Sequence, residues 1–233
     1  MSKIAVVTGA NQGLGFALAE RLTQQLGPED VVYLTGRSPD RVHAAAARLT
    51  PGTPWSELVG PFVDTNNLGT SRVLRALAPI LRPYGRLLVV ASAFGSLRRL
   101  PAHLHERFDT DRMSLDDVDA TMLAWRDAVV AGRAAEQGWP EWINIPSKVG
   151  QVAAVRVLAR ERRAADARDG TLVAAICPGL LYTDASRPWF ADMRGAQTPT
   201  EAATAPLRLA LDRHTEPGFY GELVQFGRVI PWR

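Results

Sequence analysis

The first fifteen residues constrain the fold more than any others. Ile4 to Thr8 is a continuous apolar run that leads directly into Thr8-Gly-Ala-Asn-Gln-Gly-Leu-Gly15. Such a run predicts a strand buried on both faces of a parallel sheet. Leu14, Ala17, Leu18, Leu22 and Leu26 then share one stripe, which predicts a helix over 14–26, ended by Gly27-Pro28. Glycines between a strand and a helix permit a tight turn. They also let backbone N–H groups approach a pyrophosphate at the helix N-terminus. The same glycines would equally serve strand–helix packing alone.

The alternation continues. Val31 to Thr35 reads as a second strand. Ser38-Pro39-Asp40 is an N-cap with proline in the first turn, opening a helix to Leu49. Thr50 to Pro54 breaks it, and a further helical stretch runs over 55–82, disturbed at Gly60-Pro61. Arg86 to Ser92 and Thr171 to Ile176 are strands, 102–137 is a polar helical excursion, and 147–166 is a long helix. A helix near 200–211 and a last strand over 221–226 complete the chain. Strands alternating with helices predict an α/β fold: a reduced Rossmann-like, doubly wound parallel sheet in three layers. At 233 residues the expectation is a single domain spanning 1–233.

Composition excludes several function classes. Net charge is only +3 and no basic stripe is interleaved with aromatics, so nucleic acid is not the expected partner. No apolar run reaches the length of a membrane span. The N-terminus runs into a strand rather than a cleavable leader. One cysteine, Cys177, rules out an internal disulfide and suits a reducing cytoplasm. His103 and His105 sit two residues apart, which points them away from each other on a helix, and no metal site is expected. The 27 basic residues include only two lysines, Lys3 and Lys148. A lysine kept deep in an arginine-rich chain suits a task that needs a compact point charge.

The end of the second strand carries Gly36-Arg37-Ser38 and no acid. An acid there would accept from a ribose 2′-hydroxyl, whereas an arginine accommodates a 2′-phosphate, so NADP(H) is the expected dinucleotide.

With these residues in place, the chain resembles the short-chain dehydrogenase/reductase family, and within it the monomeric carbonyl reductases. The resemblance rests on Thr8 to Gly15, Thr65-Asn-Asn-Leu-Gly69, the Ser92 strand, Gly138-Trp-Pro140 ahead of Lys148, Cys177-Pro-Gly179 with Thr183-Asp184, and Tyr220 to Phe226. It implies that Asn66 supports the active-site lysine, Ser92 polarises a substrate carbonyl, and Lys148 binds the nicotinamide ribose. Asn144 falls where the proton-donating tyrosine would stand. The cofactor contacts implied are Gly9, Asn11, Gln12, Gly13, Leu14, Gly15, Arg37, Lys148, Pro178, Gly179 and Thr183. Trp142, Trp189 and Phe190 fall in segments that line the substrate cleft, suiting a flat or aromatic small molecule. The insertion over 102–137 implies a monomer.

Two departures qualify that resemblance. An asparagine amide hydrogen-bonds but cannot supply a proton on a catalytic timescale, and loss of general-acid help costs about 10²–10⁴ in rate. Tyr182, just past the Pro178-Gly179 turn, is the candidate substitute donor. The second departure lies between Arg37 and Asn66, where roughly 30–45 residues of a strand–helix–strand unit are missing. The Thr50–Pro54 connector spans about 17 Å when extended, enough to offset a ten-residue helix of about 15 Å. The expectation is therefore no strand between Thr35 and Arg86, with the Arg86–Ser92 strand beside Ile4–Thr8 and NADP(H) binding weakened or lost. Three readings of function stay open: an impaired or altered NADP(H)-linked carbonyl reductase, a repurposed non-redox cyclase, isomerase or dehydratase, and a non-catalytic binding protein.

Overall fold

The computed structural model describes residues 3–10, 13–27, 30–34, 55–183, 186, 190, 192–212 and 216–233. The chain divides into two compact units, one of Met1–Thr53 with Pro178–Leu211 and one of Pro54–Cys177 with Asp212–Arg233.

In the first unit, β1 (Ile4–Val7) pairs in parallel with β2 (Val31–Leu34), Ile4 opposite Val31 and Val7 opposite Leu34. The crossover is α1 (Gly13–Gln25). Its apolar stripe forms as the spacing predicts: Ala17 and Leu22 are buried, with Leu14, Leu18 and Leu26 packed around them against Ala5, Val7 and Val32. Ala203 and Leu207 close this core from two later helices, α6 (Pro199–Ala202) and α7 (Thr204–Leu211). Thr198 caps α6 reciprocally with Glu201. The predicted helix at 200–211 is therefore two helices parted at Ala203.

In the second unit, β3 (Arg86–Val90), β4 (Leu172–Ile176), β5 (Leu223–Gln225) and β6 (Arg228–Ile230) form one sheet in that order. The first three are parallel. β6 turns back antiparallel across Phe226-Gly227, both at positive φ, as a two-residue hairpin requires. This strand lay beyond the expected last strand. All five residues of β4 are buried.

The 55–82 stretch is helical, as expected, with an irregularity in an unexpected place. α2 (Trp55–Val63) passes Pro61 without ending. The ladder changes instead at Asp64–Leu68, a π segment in which the Gly69 N–H reaches the Asp64 carbonyl, before α3 (Gly69–Leu77). Single π turns of this kind often mark functional positions.

The 102–137 insertion is not merely a polar excursion. Its helix α4 (Leu115–Val130) is capped by Ser114 and Asp117, and it buries Val118, Met122 and Trp125. Phe108 and Trp125 both pack on Trp139, centroids 6.3 and 6.1 Å away. The long helix α5 (Asn144–Asp169) begins three residues earlier than expected, because Pro146 sits in its first turn, where no N–H is needed.

No strand lies between Trp55 and Gly85, in agreement with the contraction. Residues 35–54, including the expected helix from Ser38 to Leu49, lie outside the described residues. The expected β1–β3 ladder is corrected: among the described residues β1 pairs only with β2, and the other neighbour of β4 apart from β5 is β3. Each sheet is held by its own crossover helix, α1 over β1–β2 and α5 over β3–β4. A short connector alone does not impose the strand spacing of about 4.8 Å that a shared ladder needs. No helix among the described residues is long and apolar enough to cross a membrane.

Candidate active site

Most of the expected catalytic positions gather in the second unit, around the first turns of α5. Ser92 follows β3, whose ladder extends one bond further through the Ala91 N–H to the Ile176 carbonyl at 2.8 Å. Its backbone is extended, and its hydroxyl accepts the Phe94 N–H at 3.3 Å, capping a short 3₁₀ turn over Ala93–Gly95. That turn lies directly against α5. A Cβ on Gly95 would come within 3.0 Å of the Lys148 carbonyl, so only glycine allows this approach. Phe94 meets Trp142 edge to face, centroids 4.7 Å apart, beside the start of α5.

The π segment forms the other wall. Asn67 grips the backbone and side chain of Ser147 at once: its amide donates to the Ser147 carbonyl at 2.8 Å and its oxygen accepts the Ser147 hydroxyl at 3.1 Å. The Asn66 amide reaches the same hydroxyl at 3.4 Å. Gly150 makes the fit possible, since a Cβ there would strike Met122 and the Asn67 amide.

Lys148 emerges next to this clamp. Its ammonium donates to Gln151 Oε1 at 2.7 Å, the Gln151 amide donates to Thr70 Oγ1 at 2.9 Å, and the Thr70 hydroxyl donates to the Asn66 carbonyl at 2.6 Å. Some of the side chain stays accessible, yet burial around the ammonium lowers its pKa to about 8, opposed weakly by Cys177. Cys177 is itself buried, with its sulfur 3.2 Å from the Gln225 amide. Neither Gln151 nor Thr70 stood out in the sequence. Their signal is helical spacing: Gln151 is three residues after Lys148, and Thr70 four after Asn66.

Asn144 is the first residue of α5 and only half-buried. Its amide makes no hydrogen bond to the described residues. Nothing in this cluster is a phenol.

The cofactor positions divide differently. In the first unit, Gly9 and Gly13 take φ of +66° and +56°, conformations that side chains resist, and a Cβ on Gly9 would meet nothing within 4 Å. Gly15 is a packing glycine, since its Cβ would collide with the Gly9 carbonyl. Leu14 joins the α1 core. The 178–183 loop folds back on this turn, placing the Thr183 methyl 3.9 Å from a Cβ on Gly13. Gln197 steadies that loop through the Pro178 carbonyl at 3.2 Å, and Gly179 bends it at φ +89°. Thr183 exchanges hydrogen bonds with Ser186. Asn11, Gln12, Arg37 and Trp189 lie outside the described residues.

Tyr182 belongs to the first unit and is 49% exposed, and its backbone N–H bonds the Gln197 carbonyl at 2.7 Å. Tyr220 is committed elsewhere: its hydroxyl donates to buried Asp166 at 2.7 Å, and burial first, then this bond, raises its pKa. His103 and His105 bond the Gln137 and Leu100 carbonyls and tie the insertion down. Among the described residues no three His, Cys, Asp or Glu side chains gather to hold a metal.

No family model matches the chain. It is 29% identical to carbonyl reductase [NADPH] 1 of Rattus norvegicus over 280 positions, covering 98% of both proteins. It is 28% identical to carbonyl reductase [NADPH] 3 of the same species over 282 positions, covering 99% of both. These matches are longer than the 233-residue chain, so the relatives carry residues with no counterpart in it. Among solved structures, salutaridine reductase from Papaver somniferum superposes with a TM-score of 0.69 at 18% identity, over 95% of this chain and 99% of that one. Menthone neomenthol reductase from Mentha piperita gives 0.66 at 19%, over 98% and 100%. These two establish the fold.

Proposed function

We propose that this chain, a homologue of the carbonyl reductases with the short-chain dehydrogenase/reductase fold, carries out a slowed NADP(H)-linked reduction of a small or aromatic ketone or aldehyde. The observation that carries the reading is the clamp of Asn66, Asn67 and Ser147 that sets Lys148 beside the Ser92 turn. A binding protein would have no need of a buried ammonium held this way, because burying a charge is costly unless it is used or paired.

The glycine turn fits a dinucleotide. Gly9 and Gly13 take positive-φ conformations that suit a tight phosphate-binding turn at the α1 N-terminus, with Leu14 and Gly15 seating that helix. Asn11, Gln12, Pro178, Gly179 and Thr183 complete the contacts, and Arg37 selects the 2′-phosphate. The dihydronicotinamide, when bound, supplies the two electrons and the hydrogen that reach the carbonyl carbon. Ser92 polarises the carbonyl oxygen, Lys148 holds the nicotinamide ribose, and Asn144 offers a hydrogen bond where the relatives offer a proton. Tyr182 is kept as a second candidate donor. Trp142, with Trp189 and Phe190, lines the substrate side. The protein acts as a monomer in the cytoplasm.

The Asn144 amide, which bonds none of the described residues, favours one other reading, a non-redox step in which Ser92, Asn144 and Lys148 polarise a carbonyl. Titration of the six tryptophans' fluorescence with NADPH and NADH separates the two. The reductase reading expects NADPH to bind more tightly than NADH and to be consumed slowly with an aromatic ketone. Equal or tighter NADH binding removes the role of Arg37. No binding of either, with tight binding of a flat ligand, selects the non-redox step.

A further inference from the structure

The chain of hydrogen bonds from Lys148 has only one possible polarity. An ammonium can only donate, so Gln151 must turn its oxygen toward Lys148 and its nitrogen away. That nitrogen can only donate, so Thr70 receives it and must spend its single proton on the Asn66 carbonyl. The carbonyl belongs to the π segment, where the helical ladder is displaced. Three groups, on α5, α3 and the π segment, thus fix one nitrogen. Gln151 is buried, with only 6% of its surface exposed. A buried amide whose hydrogen bonds all serve one lysine stem is an unusual expense for surface solubility or packing. A lysine stem has four flexible bonds and otherwise leaves its charge poorly placed.

We propose that Lys148 is the proton donor of this site and that Gln151, backed by Thr70, is the positioning residue that aims it. The inference rests on the reductase reading. In the reduction, an electron pair and a hydrogen from the dihydronicotinamide reach the carbonyl carbon, and the C–O π pair moves to oxygen. The oxyanion takes a proton from the Lys148 ammonium: an O–H bond forms, an N–H bond breaks, and the pair stays on nitrogen. The neutral amine regains its proton from water. One ammonium proton is held by Gln151, which leaves two for the substrate oxygen and the ribose.

Among the described residues, the titratable surroundings of Lys148 are few. Cys177 at the end of β4 acts on it directly. The Ala93–Gly95 turn contributes no charge, Asp64 of the π segment is exposed, and Asp119 of α4 is engaged by Ser71 and Arg75. An ammonium whose pKa lies near 8 is a competent acid around neutrality.

The chain's two lysines make the test direct. Side-chain ¹⁵N-lysine NMR of the full chain gives one signal for exposed Lys3 and one for Lys148, each titrated with pH. In parallel, NADPH consumption is followed against pH. The proposal expects a Lys148 midpoint well below that of Lys3, with kcat falling as pH rises through it. Gln151→Leu removes an acceptor from the charged form and moves the midpoint down. Gln151→Glu moves it up, and the alkaline limb of kcat follows each time. Gln151→Leu also lowers kcat about tenfold, and Thr70→Val does the same more weakly, serving if the first variant does not fold. A Lys148 midpoint that ignores both Gln151 variants overturns the positioning role. A kinetic limb that stays fixed while the midpoint moves overturns the donor role. NADPH that binds without any turnover, while the midpoint still follows Gln151, sinks the reductase reading and the donor role with it but leaves Gln151 as the anchor.

Discussion

β1 and β4 are alike in sequence and unlike in the fold. Ile4–Val7 and Leu172–Ile176 are both continuous apolar strands. β4 has a hydrogen-bonded neighbour on each side and is buried at every residue. β1 has β2 as its partner, and Ile4 and Val6 remain 54% and 45% exposed. An apolar run records what a strand can bury. Its neighbours decide how much it does bury. β4 is enclosed, and it packs on α5, which carries Lys148.

The comparison breaks first at Val173, which is fully buried in β4. Val173→Asp places a charge there without a partner and is expected to cost about 3–5 kcal/mol, a large part of the roughly 5–15 kcal/mol stability of a domain. Urea unfolding measures it, and a loss under about 1 kcal/mol would mean that β4 is not enclosed.

A second test uses Lys148. Its folded pKa, about 8, lies below its ordinary 10.5. The unfolded chain therefore holds the proton more tightly, and the charged lysine weighs against folding below about pH 8. That cost fades as pH rises from about 8 toward 10.5. Lys148→Met should raise stability at neutral pH by roughly 1–3 kcal/mol, a gain that vanishes in strong alkali. Thermal melts at several pH values read it, and a loss of stability at pH 7 would mean that the ammonium is well solvated or paired.

The smallest effect belongs to β1. Val6→Asp is expected to change stability by less than about 1 kcal/mol, because nearly half of Val6 already meets solvent. A loss as large as at Val173 would show that the outer face of β1 is covered in solution.

The sequence was most legible where one residue type performs one local task. The glycines of the 9–15 turn, the stripe of α1 and the run of β4 could all be read from neighbours within a few residues, whereas Ser92 and Lys148 stood out through the family resemblance. Gln151 and Thr70 could not, because the bond joining them spans 81 residues and has no local signature. The π segment went unforeseen for a related reason: Gly60-Pro61 is the visible breaker, yet the displaced turn begins at Asp64. β6 is three residues long, too short to show an alternation. That β1 pairs with β2 and β3 with β4 was hidden because composition specifies burial but not which strand supplies it.

The central claim is that reduction is limited by the missing phenol at position 144. The most direct measurement is the rate of NADPH-dependent reduction of one aromatic ketone by the natural protein and by Asn144→Tyr, at saturating cofactor. The account predicts slow turnover that rises in the variant by about 10²–10⁴. Brisk turnover by the natural protein, unchanged in Asn144→Tyr, would contradict it.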